Sequence, residues 1–71
     1  GGLGDVAREL IAVTVLAAIG WERQLVSHQL GAVRIGATRA EIRRAYRAGA
    51  KRATPRGRAA DARAWEKALG G

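Results

Sequence analysis

No cysteine occurs in this sequence, and its single histidine and six acidic residues form no cluster with metal-ligand spacing. Neither a disulfide nor a structural metal can therefore staple the fold. The chain has 71 residues, and a chain of that size buries only about 60% of the surface its unfolded form exposes. One domain, spanning residues 1–71, is the most it can build. Its stability has to come from close helix packing or from association with further copies, and a homo-oligomer is expected. No metal site and no cofactor is expected.

The apolar pattern then sets the architecture. Residues 10–19 are apolar except for Thr14, a run too short for a bilayer span, which needs about 20 residues. No membrane association is expected, and the run reads as a core helix. Residues 5–19 show neither strand alternation nor an internal breaker and are apolar almost all round, which suits a helix surrounded by others. Asp5 is expected as its N-cap, and Gly20 ends it. Over 21–35, the residues Trp21, Leu25, His28, Ala32 and Ile35 recur at helical spacing and form one stripe. Gly36 fits a left-handed position after a helix end, and Thr38 and Glu41 have capping-box spacing. A third helix over 39–53 presents a stripe of small and medium residues, Ile42, Ala45, Tyr46, Gly49 and Ala53, so its neighbour must come close. Thr54-Pro55 reads as an N-cap with proline at the first helical position, opening a helix over 55–69 with Ala62, Trp65 and Leu69 on one face before Gly70-Gly71. The fold class is all-α, a compact bundle of about four short helices assembled as an oligomer.

Charge is unevenly placed. Thirteen Lys and Arg stand against six Asp and Glu, for a net charge of +7. In the first half Asp5, Glu9 and Glu22 balance Arg8, Arg23 and Arg34, while most bases follow Thr38. The basic row Arg39, Arg43, Arg44, Arg47, Lys51 and Arg52 is either the solvated side of an amphipathic helix or a phosphate-binding surface. Residues 31–47 have the outline of a helix-turn-helix, without an Asn or Gln in the second helix to read adenine. Nucleic acid is thus the alternative partner. Trp21 and Trp65 are expected to pack rather than to stack on bases.

His28 is the one side chain of a type suited to proton transfer near neutral pH. In an apolar row a lone histidine is also often a hydrogen-bonded core residue. Glu22, six residues earlier, points from a different face of the same helix, so a carboxylate that orients His28 has to come from another element, such as Glu9. The start Gly1-Gly2-Leu3-Gly4-Asp5 has neither the basic residues nor the cleavage site of a signal peptide, and a cytoplasmic protein is expected. Without an initiator methionine and with glycine pairs at both ends, the sequence reads equally as a processed chain or a piece of a longer one.

Taken together, Arg8-Glu9-Leu10-Ile11 before an apolar helix, Gly20, the run Trp21-Glu22-Arg23-Gln24-Leu25-Val26-Ser27-His28, then Gly31-Ala32, Gly36, Thr38 and Glu41-Ile42 resemble the core of the carboxymuconolactone decarboxylase and alkyl hydroperoxidase D family. The resemblance implies an all-α fold and an obligate oligomer, commonly a trimer or hexamer. The peroxidase branch carries a C-x-x-C pair where this chain has Trp21 and Gln24. A dithiol relay is therefore excluded, and the chain is not a thiol peroxidase. The decarboxylase branch keeps a glutamate and a histidine, which Glu22 and His28 match. This resemblance implies a cofactor-free protein that binds a small anionic organic acid or, if an enzyme, acts on it as a decarboxylase or lyase. His28 would serve as general acid/base, Glu22 or Glu9 as the orienting carboxylate, and Arg23 or Arg34 as the anion clamp beside Trp21. A non-catalytic assembly module is the remaining alternative.

Overall fold

A computed structural model describes residues 3–70 of the chain, in four helices: α1 Leu3–Ile19, α2 Glu22–Arg34, α3 Arg39–Ala50 and α4 Pro55–Leu69. No strand occurs among the described residues. The described part measures 34 × 21 × 18 Å. The outer glycines, Gly1, Gly2 and Gly71, lie outside the described residues, so the sequence reading of the two ends is not addressed there.

Local chemistry sets most of the boundaries. Helix α1 begins at Leu3, so Asp5 is not its N-cap but an acid within the first turn, where it faces the positive end of the helix dipole. Gly20 takes φ +81°, a conformation that costs a side-chain-bearing residue about 1–2 kcal/mol. Its Cα side also lies against Gly57, and a Cβ built there would sit 2.5 Å from the Gly57 Cα. The turn between α1 and α2 is thereby pressed onto the start of α4. Thr38 and Glu41 form the expected reciprocal cap: the Glu41 amide donates to Thr38 Oγ1 at 3.1 Å, and the Thr38 amide donates to Glu41 Oε1 at 2.7 Å. At α4 the Gly57 amide donates to Thr54 Oγ1 at 3.0 Å, with Pro55 in the first turn. Helix α3 stops at Ala50, three residues short of the expected end, and the chain turns through Arg52 and Ala53 to reach that cap.

Helix α1 packs between α2 and α3, and α2 packs between α1 and α4. The small-residue stripe of α3 does what its composition predicts. A Cβ on Gly49 would collide with the Thr14 carbonyl and the Ala17 methyl, and Thr14 Oγ1 donates across the interface to the Ala45 carbonyl at 3.0 Å. The core comprises Val13, Ala17, Leu25, Ala32, Ala37, Ile42, Ala64 and Trp65.

Three expectations about faces are corrected. Helix α1 is not enclosed: Ile11, Val15 and Ile19, one row at i, i+4 and i+8, are 63%, 51% and 63% exposed. On α2 the buried stripe is Leu25, Gln29 and Ala32, while Trp21 and Ile35 are exposed and His28 is half-buried. The burial sector of α2 is turned toward α4 because that helix packs on it as well as α1. Trp21 precedes the helix, and its indole covers a surface cleft instead of entering the core. On α4 Ala62 is exposed, and the buried face is Gly57, Ala60, Asp61, Ala64 and Trp65.

Candidate functional site

Helix geometry separates the residues singled out in the sequence. Glu22 and His28 are six positions apart, which at about 100° per residue leaves them roughly 120° apart around α2. They look out from opposite flanks of the helix, His28 toward α1 and Glu22 toward α4.

On the α1 flank His28 Nδ1 lies 3.1 Å from Glu9 Oε1. Their side chains are 35% and 26% exposed, so the pair is sheltered without being sealed from an incoming ligand. The close fit depends on Gly31, because a Cβ there would collide with Glu9 Oε2. Helix α2 therefore offers Glu9 a notch one turn beyond His28. Glu9 also lines an open cleft of about 330 Å³ with Asp5, Arg8, Gly31, Arg34 and Ile35. Two guanidinium groups thus stand on the cleft that Glu9 borders. That cleft can take a small carboxylate, with arginine forks supplying paired donors; His28 is not among its lining residues and is linked to it through Glu9.

On the α4 flank Glu22 accepts from Arg63 Nε at 2.8 Å and from Lys67 Nζ at 2.5 Å. The hydrogen bond from Lys67, followed by that from Arg63, holds the Glu22 carboxyl below the ordinary carboxylate range. A second cleft of about 550 Å³ lies here, lined by Trp21, Glu22, Arg23, Val26 and Lys67. The expected catalytic and binding residues therefore fall apart. Glu9 meets His28 and also borders the cleft that Arg34 lines, but His28 and Arg34, six positions apart, themselves stand roughly 120° apart around α2; Trp21, Glu22 and Arg23 share the cleft on the α4 side. Glu22 is neutralised by two bases and does not approach His28, so the carboxylate that meets the histidine is Glu9.

A third polar group, absent from the sequence reading, is buried between α2 and α4. Gln29 and Asp61 are fully buried. Gln29 Nε2 donates to the Ala64 carbonyl at 3.1 Å, while Gln29 Oε1, both Asp61 oxygens and Trp65 Nε1 have no hydrogen-bond partner. Burial pushes the Asp61 carboxyl up to about 6. Burial first, and then the charge of Asp61, push the Tyr46 hydroxyl up. The clue was present in the spacing: Asp61 sits four residues after Gly57 and four before Trp65, on the packing face of α4. Among the described residues no group of three or more His, Cys, Asp and Glu side chains could hold a metal ion, and no helix is long and apolar enough to cross a membrane.

The basic row of α3 is a separate surface. Arg43, Arg44 and Arg47 line a shallow groove with Ala40, and the guanidinium groups of Arg39 and Arg43 stand 5.4 and 5.5 Å from the centre of the Trp65 ring. Trp65 itself is buried and packs on Tyr46, with ring centroids 5.1 Å apart.

Comparison with known proteins gives one match. The model of the carboxymuconolactone decarboxylase family matches residues 1–68, nearly the whole chain, and the chain belongs to that family. No curated protein and no solved structure matches it.

Proposed function

We propose that this member of the carboxymuconolactone decarboxylase family is a homo-oligomeric, cofactor-free lyase that acts on a small carboxylated organic acid at the cleft beside Glu9 and His28. The observation that supports it is the cross-helix pair itself: a histidine and a carboxylate from two helices, 3.1 Å apart, where Glu9 borders an arginine-lined cleft.

The roles follow from the donors and acceptors available. Ionised, Glu9 only accepts, so Nδ1 of His28 carries the hydrogen between them and Nε2 is left to exchange a proton with the substrate. Arg34, with Arg8 on the same cleft, holds a substrate carboxylate that is not lost. When the bond to the departing carboxylate breaks, carbon dioxide leaves and the electron pair stays on carbon as a carbanion or enolate. The imidazolium form of His28 then delivers its Nε2 proton to that carbon, while Glu9 stabilises the imidazolium. Arg23 and Trp21 line the cleft on the α4 side, which Glu9 does not border. For them we propose a secondary role in binding anionic ligands.

Assembly belongs to the same proposal. The exposed row Ile11, Val15 and Ile19 is an apolar stripe on the open side of α1, and such a stripe marks a contact surface. A second copy laid on it would supply the burial that a chain of this size lacks. The test is carbon dioxide release from carboxylated lactones by the wild-type protein and by His28→Ala. Removing a general acid should lower turnover by about 10²–10⁴-fold. Turnover by His28→Ala at the wild-type rate would take the histidine out of the reaction.

A further inference from the structure

We infer that the outer face of α3 is a docking surface for a nucleic-acid phosphate backbone, which it grips without reading bases. Arg39, Arg43, Arg44, Arg47, Lys51 and Arg52 are all exposed. Arg43, Arg47 and Lys51 follow one another at intervals of four, so they form a row on one face with Arg44 beside it. Among the described residues none of Arg43, Arg44, Arg47, Lys51 and Arg52 makes a salt bridge within the protomer.

Two acids lie near the row, Glu41 by Arg44 and Glu66, and the others are engaged elsewhere. Glu9 meets His28, Glu22 meets Arg63 and Lys67, Glu41 is used in the cap of α3, and Asp61 is buried. Asp5 lies near Arg8 on α1. Glu66 is the acid that shares a groove with Arg43 and Arg47. The face therefore keeps a clear positive excess. Trp65 braces it from beneath, since the guanidinium groups of Arg39 and Arg43 both lie over its ring. Such contacts fix their direction and lower the entropy lost on binding.

Three features select the partner. From Arg43 to Lys51 the row is about 12 Å long at 1.5 Å per residue, which exceeds one small anion and suits a linear array of charges. Arginine predominates in it, and the guanidinium fork matches phosphate oxygens. The exposed large apolar residues, Ile11, Val15, Ile19, Trp21, Leu30, Val33 and Ile35, all lie outside α3. The helix thus lacks the apolar side chains by which a surface helix enters a lipid headgroup layer. No Asn or Gln lies on α3, which leaves contact with the backbone as the mode of binding. This surface is independent of the Glu9–His28 cleft.

The test is fluorescence anisotropy of a labelled 20-base-pair duplex with the full chain at 50 and 200 mM salt. With about four phosphates engaged, affinity should fall by about 10²-fold between those salts. Arg43→Gln/Arg47→Gln should lower the slope of log affinity against log salt by roughly 2, whereas the charge-matched Arg63→Gln/Lys67→Gln, at exposed positions of α4 turned toward Glu22 of α2, should leave it unchanged. Arg44→Gln/Lys51→Gln, at exposed positions, gives the same readout should loss of the Arg43 contact with Trp65 impair folding. Equal losses in the face and control variants would assign the effect to net charge and overturn the inference. So would the absence of duplex binding at 50 mM salt, or binding to phosphatidylserine vesicles without binding to the duplex.

Discussion

Glu9 and His28 are nineteen positions apart in the chain, and both can be picked out from residue type alone: one is the single histidine, the other an acid on an apolar helix. What the sequence does not contain is their meeting, which depends on how α1 and α2 lie against each other. Glu22 was the more visible acid because it stands near His28 in sequence, yet helical geometry turns it toward α4, where two bases claim it. Asp61 was missed because a charged residue in a helix is ordinarily solvated. Its burial has a measurable consequence. The folded chain holds the Asp61 proton more tightly than the unfolded chain, with the carboxyl raised from 3.8 to about 6. Below about pH 4 both forms are protonated and there is no penalty. Between about pH 4 and 6 the unfolded chain ionises first, so Asp61 costs stability progressively, up to about 3 kcal/mol above pH 6. Urea unfolding of wild type and Asp61→Asn at pH 4, 5, 6 and 7 should therefore show the variant gaining on the wild type up to pH 6 and holding that gain above it. Glu22 and Glu41, whose carboxyls are held low, contribute the opposite trend in both proteins and cancel in the difference.

The elements were legible where local chemistry decides them. The capping box at Thr38 and Glu41, the Thr54-Pro55 start and the close-packing stripe of α3 follow from residue type and spacing. Helix orientation was less so. An apolar stripe with a width of one or two residues per turn does not say which of two neighbours it faces, and α2 has α1 on one flank and α4 on the other. Gln29 occupies the centre of its buried sector and His28 the edge. The seam between α1 and α2 also carries a prediction about Gly31. Alanine there favours the helix over glycine by about 1 kcal/mol, and the Cβ meets only the mobile end of Glu9. Gly31→Ala should therefore melt at or above the wild-type temperature, while it pushes Glu9 away from His28. Turnover should fall to the level of Glu9→Gln. Wild-type turnover in Gly31→Ala would show that the Glu9–His28 contact does not support catalysis.

For the molecule as a whole, the sequence led to four helices and to membership of one family, and the described residues form four helices. The surfaces were harder to foresee. A continuous apolar run looks fully buried when read along the chain, yet α1 has neighbours on two sides and leaves a third open, where Ile11, Val15 and Ile19 stand. Leu25, in contrast, lies wholly inside the protomer. The basic face of α3 and the apolar row of α1 are separate surfaces, which we propose for a polyanion and for another copy respectively. The central claim of the proposed function is that the protomer works as part of an assembly built on that apolar row. It is tested most directly by light-scattering mass of the wild-type protein and of Val15→Glu, each at about 0.1 and 1 M salt, which leave a Debye length of about 10 and 3 Å. A wild-type oligomer whose mass is the same at both salts, and which Val15→Glu reduces to a protomer, is the expected result. A folded wild-type monomer, or an oligomer that Val15→Glu leaves intact, would contradict it.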